Sequence, residues 1–578
     1  MPISKVYGSV HGLKSGIRRR VEALYRKKVS SRQVISPELA RDLARLSHES
    51  GRQIGLLLTR DGTVAMVLVG TSRSLYIPDL PKSREGRSRL RGLRLVHTHL
   101  DEEPLTQDDL MDLVFLRLDC VAAVRVDRHG GATQLEVAHL MPSSAGDDAG
   151  WYILPLMPCH EPTLDFQNLV KSLEEELDRN RFAIPAERQQ DRAILVSVTG
   201  VDKETARRSM DELVELAWAS GIAAADVIIQ RLREVNPKTL IGKGKLSEIV
   251  LRALQCGVDL LIFDQDLNPS QVKAITDTTE LRVIDRTQLI LDIFAQRAQS
   301  REGKIQVEMA QLKYLLPRLG VKDDALSRLT GGIGTRGPGE TTLEINRRRI
   351  KDRIAHLERQ LELIRKSRGQ RRSRRARREL PTISIVGYTN AGKSTLLNTL
   401  THSEVFVQDK LFATLDPSSR RLRFPEDCEV IITDTVGFIR DLPKDLMEAF
   451  AATLEELDDA DLLLHVVDIG NPRFEEQMAA VQRILKQLEL DRKPVLLVFN
   501  KADLVDPFIL EQHVRRYGAI AVSALSAGTL GPLVAAMQRE VRRILSGLSR
   551  PAASEVPPMA AGSLESDDLE ELEIAPPA

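Results

Sequence analysis

The residues best equipped for chemistry are Gly387, Tyr388, Thr389, Asn390, Ala391, Gly392, Lys393 and Ser394, which fit the pattern GxxxxGK[ST]. A loop of this kind cradles phosphates. Its glycines let backbone N–H groups close around an anion, and the N-terminus of the helix that follows, entered at Thr395, adds positive potential there. Lys393 would reach the outer phosphates. The preceding run, Thr382-Ile383-Ser384-Ile385-Val386, reads as a strand, and the following run, Thr395 to Leu400, as a helix. That is the context the motif requires.

Three further clusters choose among nucleotides. Asn500-Lys501-Ala502-Asp503 follows an apolar run ending at Phe499. The Asp503 carboxylate can accept from N1–H and the exocyclic amino group of guanine. Adenine offers neither donor there and would leave a desolvated carboxylate unpaired. Asn500 is expected to brace the loop, and the Lys501 stem to cover the ring face. Ser523-Ala524-Leu525 is expected to bring a backbone N–H to the guanine carbonyl. Asp434-Thr435-Val436-Gly437 supplies DxxG, with Asp434 on Mg²⁺ through water and the Gly437 N–H on the γ-phosphate. Phe412-Ala413-Thr414 carries the candidate switch threonine, Thr414, whose hydroxyl would join Ser394 and Asp434 at the metal. Lys393, Thr414 and Gly437 are the candidate catalytic groups. Together these elements predict GTP and GDP as ligands.

Two positions depart from the simplest scheme. Phe438 stands where Ras-type enzymes place a water-orienting glutamine. Hydrolysis is then slow alone or completed by a group supplied on docking, and Phe438 could also anchor the switch by packing. At the Asn390 position, some GTPases with asparagine use K⁺ in place of an arginine finger, which makes K⁺ a candidate cofactor beside Mg²⁺.

Positioning these groups calls for an α/β, multidomain chain. With 578 residues and 42% hydrophobic content, several cores can form, and at 4% aromatics they must be mostly aliphatic. Lys+Arg and Asp+Glu number 82 each, so charge is balanced overall. Cys120, Cys159, Cys256 and Cys428 form no CxxC pair, which argues against a disulfide framework or zinc ribbon and fits a reducing compartment. No apolar run is long enough to span a bilayer, and the expected setting is a cytoplasmic monomer. The pattern divides as follows. Residues 1–187 read as an extra α+β domain, 193–299 as an α/β domain, and 300–378 as a long-helix hairpin around a glycine-rich loop at 331–339. Residues 381–546 read as a doubly wound P-loop GTPase domain, and 551–578 as a disordered acidic tail. Ile350, Ile354, Leu357, Leu361 and Ile364 give the second long helix an apolar stripe. Its end, 365–378, is densely cationic and suited to RNA phosphates; a solvated helix face is the plainer alternative.

The nucleotide motifs, the glycine-rich segment at 331–342 between paired helices, and Asn236-Pro237-Lys238-Thr239-Leu240-Ile241-Gly242-Lys243-Gly244-Lys245 resemble the HflX family of GTPases. The resemblance covers roughly residues 193–546. It implies GTP-regulated binding to the 50S ribosomal subunit and its 23S rRNA, with splitting or rescue of stalled ribosomes. It also implies that the glycine-rich loop, with Arg328 and Arg336, probes near the peptidyl-transferase centre. An assembly checkpoint on immature 50S subunits is the alternative.

Residues before about 187 resemble a degenerate JAMM/MPN-like domain. His97 and His99 end an apolar run, and Thr106 and Asp109 follow. Two imidazoles and a carboxylate could bind Zn²⁺. Leu100 replaces the usual proline, the spacing to Thr106 is one residue short, and Arg52 and Gln53 stand where a glutamate is wanted. The expectation is therefore a metal-free docking module whose histidines pack or hydrogen-bond.

Overall fold

Runs such as Leu56-Leu57-Leu58 and Val121-Ala122-Ala123-Val124 are apolar at every position, which suits strands covered on both faces. In the computed structural model they are. The described residues are 5–78, 80, 90–141, 150–182, 191–200, 202–232, 235–319, 342–376, 380–401, 418–424, 428–435, 437–440 and 457–547. Phe412, Ala413, Thr414, Val436, Arg328, Arg336, the loop at 331–339, the side chains from Ser367 through the basic run, and the tail at 551–578 lie outside them. The chain forms two compact units, residues 1–296 with 307–358, and residues 297–306 with 359–578.

The first unit opens with a mixed sheet. Its strands are β1 (Val6–Gly8), β2 (Ile54–Thr59), β3 (Val64–Val69), β4 (Leu93–His99), β5 (Cys120–Val126), β6 (Ala132–Leu140), β7 (Trp151–Ile153) and β8 (Met157–Pro158). The order is β1-β3-β2-β4-β5-β6-β7, with β8 beside β6. Strand alternation divides consecutive residues between two cores. Leu56, Leu58, Val96, Ala122 and Val124 face one, and Leu57, Leu95, Val121 and Ala123 face the other. The helix Pro37–Ser50 covers the first face through Leu39, Ala40, Leu43 and Leu46. It is started by Ser36, whose side chain accepts from Leu39 N–H, and by Pro37 at its first position; Gly51 ends it in the left-handed region at φ 63°. The helix Gln107–Phe115 covers the second face through Leu110, Leu113 and Val114.

The same unit holds a parallel sheet in the order β10-β9-β11-β12, formed by β9 (Asp191–Thr199), β10 (Ile222–Arg231), β11 (Leu260–Phe263) and β12 (Arg282–Asp285). The helix Lys243–Cys256 lies between the two sheets. Leu246, Ile249 and Ala253 enter the core of the second, while Val250, Leu251 and Leu254 enter that of the first. A helix apolar on opposite sides is one buried on both. Arg91 pairs with Glu280 at 2.6 Å, and Arg117 donates to the Thr279 carbonyl at 3.1 Å, so polar contacts reinforce the same junction. Of the long helices, Arg301–Leu315 carries Glu308 and Lys313, which pair with Arg353 (2.7 Å) and Glu358 (3.6 Å) of Thr342–Ala376. Ile354, Leu357 and Leu361 are buried, as the stripe requires.

The second unit contains β13 (Thr382–Gly387), β14 (Ser418–Arg423), β15 (Glu429–Asp434), β16 (Leu462–Asp468), β17 (Val495–Asn500) and β18 (Ile520–Ala521), ordered β14-β15-β13-β16-β17-β18. All neighbours are parallel except β14, an antiparallel edge strand. Helices Lys393–Thr401 and Gly531–Leu545 cover one face with Leu396, Leu397, Leu400, Leu533 and Met537. Phe474–Gln487 and Pro507–Tyr517 contribute Phe474, Met478 and Val514 to the core on the other. Gly387, Asp434, Asp468 and Asn500 all end parallel strands, so they gather at the carboxyl edge, where open α/β sheets bind ligands. Among the described residues, no helix is long and apolar enough to cross a membrane.

Candidate functional site

The loop leaving β13 has no room for side chains at its two outer glycines. A Cβ on Gly387 would meet the Val466 carbonyl oxygen at 2.2 Å. Gly392 has φ +83°, and a Cβ there would meet Asn500 Nδ2 at 2.2 Å. Asn390 takes the left-handed conformation at φ 62°, which asparagine tolerates better than most residues, and it is exposed at the loop's rim. Ala391 is buried, and Thr395 continues the helix. Lys393 folds back so that its Nζ donates to the Tyr388 carbonyl at 2.9 Å. Desolvation lowers its pKa to about 8, against a smaller upward pull from Asp434. A buried ammonium held by one carbonyl is a strong attractor for a phosphate.

Asp434 and Ser394 meet at the end of β15: the Ser394 hydroxyl lies 2.6 Å from Asp434 Oδ2. Thr435 turns away and donates to the Ile385 carbonyl at 2.6 Å. Gly437 is close-packed, since a Cβ there would lie 2.9 Å from both Lys393 Nζ and Thr389 Cγ2. Phe438 is buried, its N–H donates to Gly387 O (3.1 Å), and its carbonyl accepts from Thr389 N–H (2.8 Å). It therefore straps the DxxG segment to the phosphate loop, which supports the packing role. The Tyr388 hydroxyl accepts from Arg440 N–H at 2.9 Å and adds a second strap that the sequence did not announce.

Asn500 spans the loops as a brace. Its Nδ2 donates to Ala391 O (2.8 Å), and its Oδ1 accepts from Ala524 N–H (2.9 Å). Lys501, at φ 59°, pairs with Asp468 at 2.8 Å, a partner not foreseen although it closes an apolar strand run as Asp434 does. Asp503 stands exposed in the turn Ala502–Leu504. The Ser523 N–H goes to Thr529 Oγ1 (3.0 Å), and the Ala524 N–H to Asn500, while the Leu525 side chain is exposed. His465, buried on β16, was also missed; burial first, and then the Lys393 charge, push its pKa down to about 4, so it is neutral at pH 7. Thr414, Phe412, Ala413 and Val436 lie outside the described residues.

Strand, phosphate loop, DxxG and NKxD on a doubly wound sheet define a P-loop GTPase. Family models match as GTP-binding GTPase N-terminal over residues 207–295, GTP-binding GTPase Middle Region over 297–375, and 50S ribosome-binding GTPase over 382–501. GTPase HflX of Caldanaerobacter subterraneus is 47% identical over 354 residues, 61% of this chain and 81% of that protein. GTPase HflX of Escherichia coli is 46% identical over 307 residues, 53% of this chain and 72% of that one. A solved GTP-binding protein of Sulfolobus solfataricus in complex with GDP is 26% identical and covers 62% of this chain and 100% of that one, but a TM-score of 0.34 is too low to carry an argument. The chain belongs to the HflX family of GTPases and is a GTP hydrolase.

Burial of Lys393 sets a pH dependence. Its pKa in the nucleotide-free protein is lowered to about 8, and a bound phosphate would raise it. Binding then takes up a proton above pH 8 and none well below it. GDP affinity, followed with a fluorescent analogue, is expected to be flat with respect to Lys393 from pH 6.5 to about 7.5 and to fall by up to about tenfold per pH unit above 8. Affinity that holds level to pH 9.5 would remove Lys393 from the phosphate site.

Proposed function

We propose that this chain is a cytoplasmic, GTP-regulated factor of the 50S subunit that splits or rescues stalled ribosomes. The observation that carries the reading is one chain joining a GTPase core, matched over 382–501 by a model described as 50S ribosome-binding GTPase, to the long helix Thr342–Ala376, whose sequence ends in dense arginine. Such a run attracts rRNA phosphates through counterion release.

In this reading the phosphates of GTP lie in the loop 387–394, with Lys393 on the outer phosphates and the Gly437 N–H on the γ-phosphate. Ser394 and Asp434 are hard oxygen donors that already touch, a set that fits Mg²⁺, with Thr414 completing it. The ion, when bound, neutralises charge on the β- and γ-phosphate oxygens. Asp503 reads guanine, Lys501 covers the base, and Asn500 ties base loop to phosphate loop. Phe438 gives the attacking water no hydrogen bond, so turnover is expected to rise on the ribosome. The exposed, left-handed Asn390 is the candidate K⁺ contact; GTP turnover is expected to be faster in K⁺ than in Na⁺, and equal rates reject that role.

Sucrose gradients test the main reading. With a non-hydrolysable GTP analogue, the chain is expected to convert 70S ribosomes to free subunits. Intact 70S particles together with binding to immature 50S subunits would replace splitting by an assembly role. Charge reversal within 371–378 is expected to weaken ribosome binding and flatten its salt dependence; an unchanged salt slope would place the RNA contact elsewhere.

A further inference from the structure

The strongest unassigned cluster is in the first sheet, outside the GTPase site. His97 and His99 end β4, and Asp109 lies in the first turn of the helix Gln107–Phe115. His97 Nε2 lies 2.8 Å from His99 Nε2 and 3.0 Å from Asp109 Oδ1, and His99 Nε2 lies 3.4 Å from Asp109 Oδ2. Both rings are buried, at 0% and 1% exposure.

Proton counting makes this triangle unusual. His99 Nδ1 is 2.9 Å from the Pro104 carbonyl oxygen, which only accepts, so Nδ1 carries a proton. In the neutral ring, Nε2 then presents a lone pair to the other two corners. His97 Nδ1 is buried and meets no hydrogen-bond partner among the described residues, so that ring's polar contacts all run through Nε2. The triangle's edges join two imidazole nitrogens to the two oxygens of one carboxylate, and a cation bonded to both nitrogens and one of those oxygens would satisfy the cluster. Tetrahedral zinc, with bonds of about 2.0–2.1 Å, sets its ligand atoms roughly 3.3 Å apart, close to the edges found here. At His99 and Asp109 the supporting contacts are those of metal ligands. The Pro104 carbonyl holds the His99 tautomer, and Thr106 donates through Oγ1 (2.6 Å) and N–H (2.7 Å) to Asp109 Oδ2, fixing the carboxylate.

We propose that His97, His99 and Asp109 bind one zinc-class divalent ion that staples the end of β4 to the helix Gln107–Phe115. The site is a staple and not a hydrolytic centre. The residue paired with His97 on β2 is Gly55, and the space a side chain there would fill is taken by Leu75, so this position supplies no carboxylate base. The convergence of the two Nε2 atoms is what favours this proposal over metal-free histidines.

Cobalt titration of the chelator-treated full chain, in excess Mg²⁺ to occupy the GTPase site, tests this. One equivalent of Co²⁺ is expected to give an intense tetrahedral d–d band, displaced by one equivalent of Zn²⁺, absent in Asp109→Ala and retained in His139→Ala. Far-UV circular dichroism and fluorescent GDP binding check that each variant folds. If Asp109→Ala does not fold, Asp109→Asn, whose amide oxygen can still accept from Thr106, is expected to weaken Co²⁺ at least about tenfold. A folded parent with no tetrahedral band, or a band unchanged in the aspartate variants, overturns the proposal. In that case a protonated His99 closes the triangle by hydrogen bonds alone. Neither result bears on GTP or ribosome binding.

Discussion

Lys393→Ala is expected to lower kcat/KM for GTP by about 10²–10³-fold or more, the scale of removing a preorganised charge from a transition state that concentrates negative charge. The structure adds a second, less obvious outcome. Lys393 is buried, with desolvation holding its pKa at about 8. Removing it relieves the nucleotide-free protein of a poorly solvated ammonium that donates to the Tyr388 carbonyl. Thermal stability without nucleotide should therefore hold or rise while activity collapses. Single-turnover hydrolysis together with a melting curve measures both. Unchanged kinetics would contradict the site, and a large loss of stability would mean that the side chain supports the fold.

Asp503→Asn is expected to exchange base preference. Guanine presents two donors to the Asp503 carboxylate, and charge-assisted hydrogen bonds of this kind are strong and geometrically exacting. An asparagine amide can match the carbonyl of xanthine but repels the guanine amino group with its own N–H. GDP affinity should fall by about 10²–10³-fold, and XDP affinity should rise by a comparable factor. Asp503 is exposed in a short turn, so stability should move by no more than about 0.5 kcal/mol. Competition of GDP, XDP and ADP against a fluorescent probe decides it. GDP binding that survives intact would assign base recognition to other groups.

How much of this was legible beforehand differs by region. The phosphate loop was readable because backbone geometry restricts it to a few residue types: Gly387 and Gly392 have no space for a Cβ, and Lys393 needs a fixed offset from them. The sheet edge was readable because an apolar run followed by Asp or Asn marks a parallel strand reaching the surface, as at Asp434 and Asn500. Asp468 obeys the same rule and was passed over because it belongs to no short motif. The Tyr388–Arg440 strap and neutral His465 were not legible, since each depends on a contact between segments distant in sequence. The same limit applied to the N-terminal histidines. Departures in spacing argued against a metal there, yet spacing along a chain only bounds distances in space, and the fold brings Asp109 to 3.0 Å from His97.

The order and chemical type of the nucleotide motifs were determined by the linear chain alone, because each motif is local and its backbone demands are met by neighbouring residues. Only the folded molecule decided that Phe438 straps the switch to the phosphate loop, that Lys393 is held as a desolvated cation, and that two imidazoles and one carboxylate share a point in space. Those properties arise from burial and from approach between distant segments, and the path along the chain does not specify them.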